Sequence, residues 1–145
     1  MGHKTHPVGF RLGIVKDWQA RWFAGDKASY RETLLEDLRL RKAISQKYVD
    51  ADIARVEIER NTQEVVLTIH TARPGMVIGR QGQKVDELKN ALQALTKKNI
   101  RLNVQEIRQP ETDAFLVAMN IVSQLERRIS YRRAIQQAAT RSMQA

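Results

Sequence analysis

Apolar and polar residues alternate along three segments of the chain. In 54–59, Ala, Val and Ile alternate with Arg and Glu, and the same period of two returns in 65–70 and 100–105. This period is typical of a half-buried β-strand, because successive side chains point to opposite faces of a sheet. Asn61 and Thr62 separate the first two segments and are typical of a turn. We therefore predict a β-hairpin followed, later in the chain, by a third strand.

Two segments that flank this hairpin have helical spacing. Before it, Ser29 and Glu32 match the capping box S-x-x-E, in which each side chain satisfies a free backbone N–H, and a helix is expected over 30–48. The side chains that this helix is expected to bury are Tyr30, Leu34, Leu38 and either Ile44 or Ala43. A second helix is expected after Gly82, and its apolar stripe consists of Val85, Leu88, Leu92 and Leu95.

The C-terminal segment has two apolar stripes that one straight helix cannot bury together. The first repeats at spacings of three and four, lies within an arc of roughly 80°, and consists of Phe115, Ala118, Val122, Leu125 and Ile129. The second falls nearly opposite on the same helical wheel and consists of Tyr131, Ala134, Ile135 and Ala138. We therefore predict a break near Ser130, which would be the N-cap of a second helix.

The predicted order of elements over 29–108 is α-β-β-α-α-β, with 76–78 forming a short turn of helix. This order predicts an α+β fold in which helices pack on one face of a three-stranded sheet. We expect three parts along the chain. An extended, basic and aromatic arm with at most one short strand occupies 1–27, the α+β domain with its leading helix occupies 28–109, and two helices occupy 110–145.

The charge balance indicates a class of partner. The 145 residues include 25 Lys and Arg against 16 Asp and Glu, which gives a formal net charge of +9 and a pI near 10.3. This balance favours a polyanion, either nucleic acid or an anionic membrane surface, and a merely soluble basic protein is the simpler alternative. The chain has no cysteine, which excludes disulfides and thiol chemistry and fits a reducing compartment. No apolar run approaches the ~20 residues of a membrane span, and no secretory signal is expected.

The stretch VIGRQGQ places two glycines between an apolar run and the second predicted helix. Its spacing fits neither the Walker phosphate loop nor the dinucleotide-binding G-x-G-x-x-G. An I-G-x-x-G turn before a helix N-terminus lets a phosphodiester backbone approach main-chain N–H groups. The alternative is a plain turn that needs glycine for its dihedral angles. The candidate RNA contacts in this stretch are Ile78, Gly79, Arg80, Gln81, Gly82 and Lys84.

Four arginines lie close together where the two C-terminal helices are expected to meet. They are Arg127, Arg128, Arg132 and Arg133, and Glu126 is the only acid near them. Guanidinium groups bind phosphate bidentately, so a polyanion is the favoured partner and a solvated helix surface is the alternative. The chain has no cysteine and only three scattered histidines, so we expect neither an enzyme activity nor a metal or cofactor.

These motifs resemble a known family. VIGRQGQ, between a β-hairpin and an amphipathic helix, resembles the prokaryotic type II K-homology (KH) domain, which has α-β-β-α-α-β order. The opening G-x-K-x-H-P-x-G-F-R-L-G, with TARPGMVIGRQG, LNVQEIR and QLERRISYRRAIQQA, is similar to the N-terminal part of the family of small-subunit ribosomal protein number three. The resemblance extends over 1–145 and adds Lys4, His6 and Arg11 of the arm to the candidate RNA contacts.

The resemblance implies a structural protein in the head of the small ribosomal subunit, in the cytoplasm or in an organelle. The implied partners are small-subunit ribosomal RNA, messenger RNA near its entry and neighbouring ribosomal proteins, with no membrane and no small-molecule substrate. The messenger would face Arg132 and Arg133, with Arg127 and Arg128 beside them. A free-standing KH module that binds short single-stranded RNA is the alternative.

Three features depart from the pattern of that family. His3 replaces a Gln, and Gln136 stands where many members have a Lys, which weakens the basic patch. The family continues into a second α/β domain, whereas this chain stops at Ala145 within a predicted helix. We therefore expect an N-terminal fragment or a shortened variant, in which 110–145 is the start of a truncated C-terminal domain.

Overall fold

The observed elements follow the predicted order, with additions in the arm. The computed structural model describes residues 2–61, 63–96 and 98–145. The strands are β1 (Ala20–Arg21), β2 (Ile53–Arg60), β3 (Glu64–Thr71) and β4 (Asn99–Glu106). The α-helices are α1 (Pro7–Arg11), α2 (Lys27–Lys47), α3 (Pro74–Ile78), α4 (Gln83–Thr96), α5 (Ala114–Glu126) and α6 (Tyr131–Gln144). Short 3₁₀ turns occupy Val49–Ala51, Arg80–Gly82 and Pro110–Thr112.

The predicted hairpin and third strand are confirmed. β2 and β3 are antiparallel, with Ile58 opposite Leu67, and β4 runs parallel to β3, with Leu102 opposite Leu67. Of the predicted turn residues, Asn61 directly follows β2, and Thr62 lies outside the described residues. The three longer strands therefore expose alternate residues to opposite faces, as their sequence period requires.

A short edge strand adds to the predicted sheet. β1 pairs in parallel with β2, with Ala20 opposite Ile58, and the sheet order is β1-β2-β3-β4. The backbone N–H of Ile58 also donates to the carbonyl of Gln19, at 2.9 Å. A strand of two residues is too short to show an alternation of apolar and polar residues. The sequence was therefore compatible with a short strand in the arm but did not indicate its position. The α+β class is confirmed, with four strands instead of three.

One apolar core joins the sheet to α2, α3 and α4. The side chains that are at most 1% exposed include Leu40, Ile44, Ile58, Leu67, Ile69, Val77, Leu88, Leu92 and Ile100. Burying a side chain of this size contributes about 1.5–3 kcal/mol relative to leaving it in water. Val77 lies in α3 and Leu88 in α4, so both helices that flank the glycine pair are fixed to the sheet.

The leading helix begins earlier and buries a different face than predicted. Its N-cap is Asp26, whose side chain accepts a hydrogen bond from the backbone N–H of Ser29 at 3.2 Å, so the expected capping box at Ser29 was wrong. Ile44 is buried as predicted, but Tyr30, Leu34 and Leu38 are 52%, 39% and 55% exposed. The buried residues of α2 are Asp37, Leu40 and Ile44. The apolar pattern did not predict this face, because the charged residue Asp37 was expected to be exposed to solvent.

In α4 the buried residue of the last turn also differs from the one predicted. Leu88 and Leu92 are buried as predicted, but Leu95 is 56% exposed and Thr96 is buried instead. A step of four residues keeps a side chain on the same face of a helix, and 88, 92 and 96 follow that step. The Thr96 hydroxyl donates to the Leu92 carbonyl at 3.2 Å, so its burial leaves no unpaired polar group.

The predicted break between the C-terminal helices is confirmed, but the predicted burial is wrong for most of the two apolar stripes. α5 ends at Glu126 and α6 begins at Tyr131 with Ser130 at its N-cap position, although the Ser130 side chain makes no cap hydrogen bond. Most of the apolar residues that we expected to be buried are exposed to solvent. They are Phe115, Ala118, Val122, Leu125, Ile129, Tyr131 and Ile135. Ala134 and Ala138 of the second stripe are buried as predicted, and Leu116 is buried in place of the first stripe, because α5 and α6 pack through this narrower set. In the described ranges no helix is long and apolar enough to cross a membrane.

Candidate nucleic-acid interface

The glycine pair forms a tight turn between α3 and α4, and we name residues 78–84 the glycine loop. Gly79 has φ 72° and ψ −173°, Gln81 has φ 54° and ψ 23°, and Gly82 has φ 82°. The conformation of Gly79 belongs to a region of dihedral space that is essentially restricted to glycine. Gln81 adopts a left-handed conformation that costs a non-glycine residue free energy. The sequence left open that this stretch is a turn that needs glycine for its dihedral angles, and at Gly79 the turn does need glycine for this reason.

Close approach is the second reason for glycine at position 79. A Cβ atom built there would lie 2.7 Å from Cγ of Lys84, closer than real Cβ atoms approach another heavy atom. The aliphatic stem of Lys84 thus folds back over Gly79. No heavy atom lies within 4 Å of a Cβ built at Gly82, so the space on that side of the loop is open. The two glycines therefore act differently, one by admitting a lysine stem and the other by leaving a gap.

The loop is attached to the domain on the side of α2. The Tyr48 hydroxyl donates to the backbone carbonyl of Lys84, at 3.0 Å. Burial raises the pKa of Tyr48, and the negative charge of Glu87 raises it further. The phenol therefore stays protonated over an extended pH range and keeps its donor for Lys84. Together with buried Val77 and Leu88, this bond positions the loop on a rigid base.

The exposed groups of the loop suit an anion. Arg80, Gln81 and Lys84 are exposed, and in the described part of the chain neither cation forms an ion pair. The loop leads directly into α4, whose N-terminal N–H groups carry a partial positive charge. Asp86 in the first turn of α4 offsets part of this charge. Ile78 is 40% exposed and adds an apolar contact beside the polar groups.

The four arginines lie at the corner between α5 and α6, which we name the arginine corner. Arg127 caps α5, Arg128 has φ 62°, and Arg132 and Arg133 begin α6. All four are exposed, and within the described ranges none of them pairs with a carboxylate. Arg132 lies over the ring of Tyr131, with Cζ 5.8 Å from the ring centroid. Cations at the positive end of a helix without an acidic partner favour an external anion.

In the arm, His6 and Arg11 lie at the two ends of a short helix that the sequence did not predict, and Lys4 precedes it. Nδ1 of His6 accepts a hydrogen bond from the backbone N–H of Gly9, at 3.1 Å, and caps α1. Pro7 follows in the first helical position, where its missing N–H is not needed. Arg11 donates from Nη1 to the carbonyl of Pro7 at 2.9 Å, and Lys4 is exposed. The arm, the glycine loop and the arginine corner are thus three separate basic elements.

The structure adds residues that the sequence did not single out. Arg41 of α2 donates to the backbone carbonyls of Gln19 in the arm and Val56 in β2, the former at 2.9 Å. Burial lowers the pKa of Arg41, although nearby Asp37 and Glu57 act in the opposite direction. These hydrogen bonds attach the C-terminal end of the arm to the domain. No motif indicated them, because they join residues that are 15 and 22 positions apart in the chain.

Comparison with known proteins agrees with this geometry. A family model described as KH domain matches residues 39–112, a range that contains the hairpin, the glycine loop and β4. Small ribosomal subunit protein uS3 of Dehalococcoides mccartyi is 59% identical over 145 residues, which is 100% of this chain and 52% of the relative. The proteins of the same name from Carboxydothermus hydrogenoformans and Lactobacillus gasseri are each 53% identical, over 99% and 100% of this chain and 64% of their own length. The chain spans between about half and two-thirds of the length of these relatives, and the resemblance found in the sequence is confirmed.

Proposed function

The chain belongs to the KH domain family, and from this premise we propose that it is an RNA-binding protein of the small ribosomal subunit. The observation that carries the proposal is the 50–59% identity to uS3 proteins, which extends over the whole chain. We further propose ribosomal RNA and neighbouring ribosomal proteins as its partners and the bacterial cytoplasm as its location. Its role is binding and positioning, with no covalent step.

The glycine loop would hold an RNA backbone through its main chain. A phosphate can approach the open side of Gly82, next to the N-terminus of α4 and its partial positive charge. Arg80 and Lys84 would add mobile positive charge around that phosphate. This arrangement is sequence-tolerant, because a KH loop contacts the backbone of a few nucleotides instead of their base edges.

The arginine corner would hold a second stretch of RNA, for which we propose messenger RNA at its entry. The support is the exposure of Arg127, Arg128, Arg132 and Arg133 and the absence of carboxylate partners for them in the described residues. The guanidinium of Arg132 lies over the ring of Tyr131, and its Nε donates to the Tyr131 hydroxyl at 3.2 Å, which orients it for phosphate. In the arm, Lys4, His6 and Arg11 are proposed to follow the backbone of ribosomal RNA.

A free-standing KH module is the second candidate, and the exposure of the glycine loop favours it. The two candidates differ in what the arm does. We would measure the affinity of the chain, across a salt series, for a folded RNA from the small-subunit head and for a short unstructured oligonucleotide. The arm would be tested in a variant that lacks residues 2–16, because Asp17 onward is tied to the domain by β1 and by Arg41.

The ribosomal proposal predicts a clear preference for the folded RNA that falls when residues 2–16 are removed. Equal or tighter binding to the oligonucleotide, unaffected by the deletion, would instead establish the free-standing module. A matched control is Arg21→Gln, which removes one positive charge that already pairs with Asp17 and Glu59.

A further inference from the structure

A hollow lies beside the glycine loop, on the side where α2 ends. It has a volume of about 390 Å³ and lies between the Val49–Ala51 turn and the first turns of α4. Lys84 belongs both to the wall of this hollow and to the glycine loop. If the loop holds one nucleotide of an RNA strand, the neighbouring nucleotide of the same RNA would therefore be able to reach the hollow. We name this feature the loop-side pocket.

The loop-side pocket combines an apolar lining with four charged groups. The apolar part comes from Val49 and Met76, which are 70% and 39% exposed, and from the ring of Tyr48. The charged groups in the wall are Lys47, Asp50, Lys84 and Glu87. Across residues 2–61, 63–96 and 98–145 none of these four forms an ion pair. Two cations and two carboxylates thus line one hollow without pairing with each other, and all four are exposed and available to a ligand.

The two carboxylates decide which part of a nucleotide would fit. A phosphate is repelled by Asp50 and Glu87, so the lining offers an anion no net attraction. A base offers an uncharged flat surface for Met76 and Val49 together with donors and acceptors on its edge. The charge of Glu87 reaches into the pocket, because it helps to raise the pKa of the Tyr48 phenol.

We propose that the loop-side pocket takes a guanine base of single-stranded RNA, next to the nucleotides on the glycine loop. Guanine combines two neighbouring donors, N1–H and the exocyclic amine, with two acceptors, O6 and N7. A carboxylate accepts from the donors, and a lysine donates to the acceptors. Uracil has a single N–H donor and cannot engage a carboxylate bidentately. This inference rests on the proposed function, because the loop must hold the strand for the base to reach the pocket.

The test uses the full chain and three oligonucleotides that differ in one base. Each is a short oligouridine, and its central position is uridine, guanosine or inosine, the last lacking the exocyclic amine. Fluorescence anisotropy should give a dissociation constant about tenfold lower for guanosine than for uridine, as expected for one bidentate pair, with inosine in between. The preference should fall in Glu87→Gln or Asp50→Asn and disappear in the double variant. Asp86→Asn, one residue from Glu87 but outside the pocket wall, is the matched control and should keep the preference.

The outcomes separate this inference from the proposed function. Binding of all three oligonucleotides with equal affinity would overturn the guanine pocket while leaving RNA binding by the loop intact. A guanosine preference that persists in the double variant would overturn it as well, because the base would then be recognised elsewhere. Failure of the chain to bind any of the three, or the folded RNA, would overturn the proposed function together with the pocket.

Discussion

The indole Nε1 of Trp22 donates a hydrogen bond to Oδ2 of Asp37, at 2.7 Å, and thereby joins the arm to α2. The other carboxylate oxygen of Asp37 accepts from Nε of Arg60 at 2.9 Å. Arg60 also donates to Glu36, at 2.6 Å, and the Trp22 ring packs against Tyr30 with centroids 5.4 Å apart. The side chains of Asp37 and Arg60 are only 4% and 7% exposed. The end of the arm is therefore held by a buried ion pair of the domain.

Removing the carboxylate should destabilise the fold strongly. In Asp37→Ala the guanidinium of Arg60 stays buried and keeps only Glu36 as a partner, and an uncompensated buried charge costs about 3–5 kcal/mol. Trp22→Phe keeps most of the packing and loses one hydrogen bond, so its cost should be about 1 kcal/mol. Urea unfolding followed by circular dichroism measures both values.

The control for the ion pair is an exposed one. Glu59→Gln removes a carboxylate that pairs with Arg21 at the surface, and it should change the free energy of unfolding by less than about 1 kcal/mol. Equal effects of Asp37→Ala and Glu59→Gln would show that the Asp37–Arg60 pair does not hold the arm.

The glycines of the loop should respond unequally to alanine. Gly79→Ala introduces a side chain at φ 72° and ψ −173° and against Lys84, so it should cost about 1–3 kcal/mol and disturb the loop. Gly82→Ala meets no neighbouring atom and carries only the strain of positive φ, about 1–2 kcal/mol. Its added methyl group should instead weaken RNA binding, because it fills the open side of the loop.

Gly75→Ala is the matched control for both, since this glycine lies inside α3 and no atom lies within 4 Å of the added Cβ. It should leave stability unchanged or raise it by up to about 1 kcal/mol. Unfolding curves and RNA titrations of the three variants test these expectations. RNA affinity that is unaltered in Gly82→Ala would remove the open side of the loop from the interface.

What the sequence could predict depended on how local each signal is. The hairpin, β4 and the buried pair Leu88 and Leu92 follow from periods that a short window contains. The buried face of α2 does not, because Asp37 is buried only through Arg60, 23 residues away. The same holds for β1, whose two residues form a strand only against β2.

The candidate site divides in the same way. The glycine loop could be located from its motif, because the need for positive φ at Gly79 and Gly82 is encoded at those positions. The bond between Tyr48 and Lys84 could not, since these residues are 36 positions apart and meet through the packing of α2 against α4. In α5 the apolar spacing correctly predicted a helix but not its buried side, because Phe115 and Val122 are exposed and Leu116 is buried.

The arginine corner should contribute to the salt dependence of RNA binding. Each phosphate contact that is lost reduces the slope of log K against log salt by roughly 0.7 for single strands. Arg132→Ala with Arg133→Ala should therefore flatten the slope by roughly 1.4 if both arginines contact phosphate. Arg21→Ala, whose charge already pairs with Asp17 and Glu59, is the control and should change the slope little. A slope that does not change in the double variant would make the corner a solvated surface.

Glu57 should make the stability depend on acidic pH. Its Oε1 lies 2.9 Å from Nε of Arg55 and 3.1 Å from Nε2 of His70, which is buried in β3 and has no well-directed hydrogen bond. Burial alone would raise the pKa of Glu57, but the hydrogen bond from Arg55 and the charge of His70 outweigh it, so the pKa lies below its ordinary value of 4.5. A lowered pKa means that the folded state holds this proton less tightly than the unfolded chain does.

The stabilisation from Glu57 is therefore present above about pH 4.5 and is lost as the pH falls through the lowered pKa of the folded state. Glu57→Gln should reduce the free energy of unfolding by about 1 kcal/mol at neutral pH. The difference between this variant and the parent chain should shrink as the pH falls and vanish below the lowered pKa of the folded state, where the carboxylate is protonated in both states. Urea unfolding at several pH values measures it, with Glu106→Gln at the exposed end of β4 as the control. A difference that stays constant between neutral and acidic pH would show that Glu57 stabilises the sheet by packing instead of by charge.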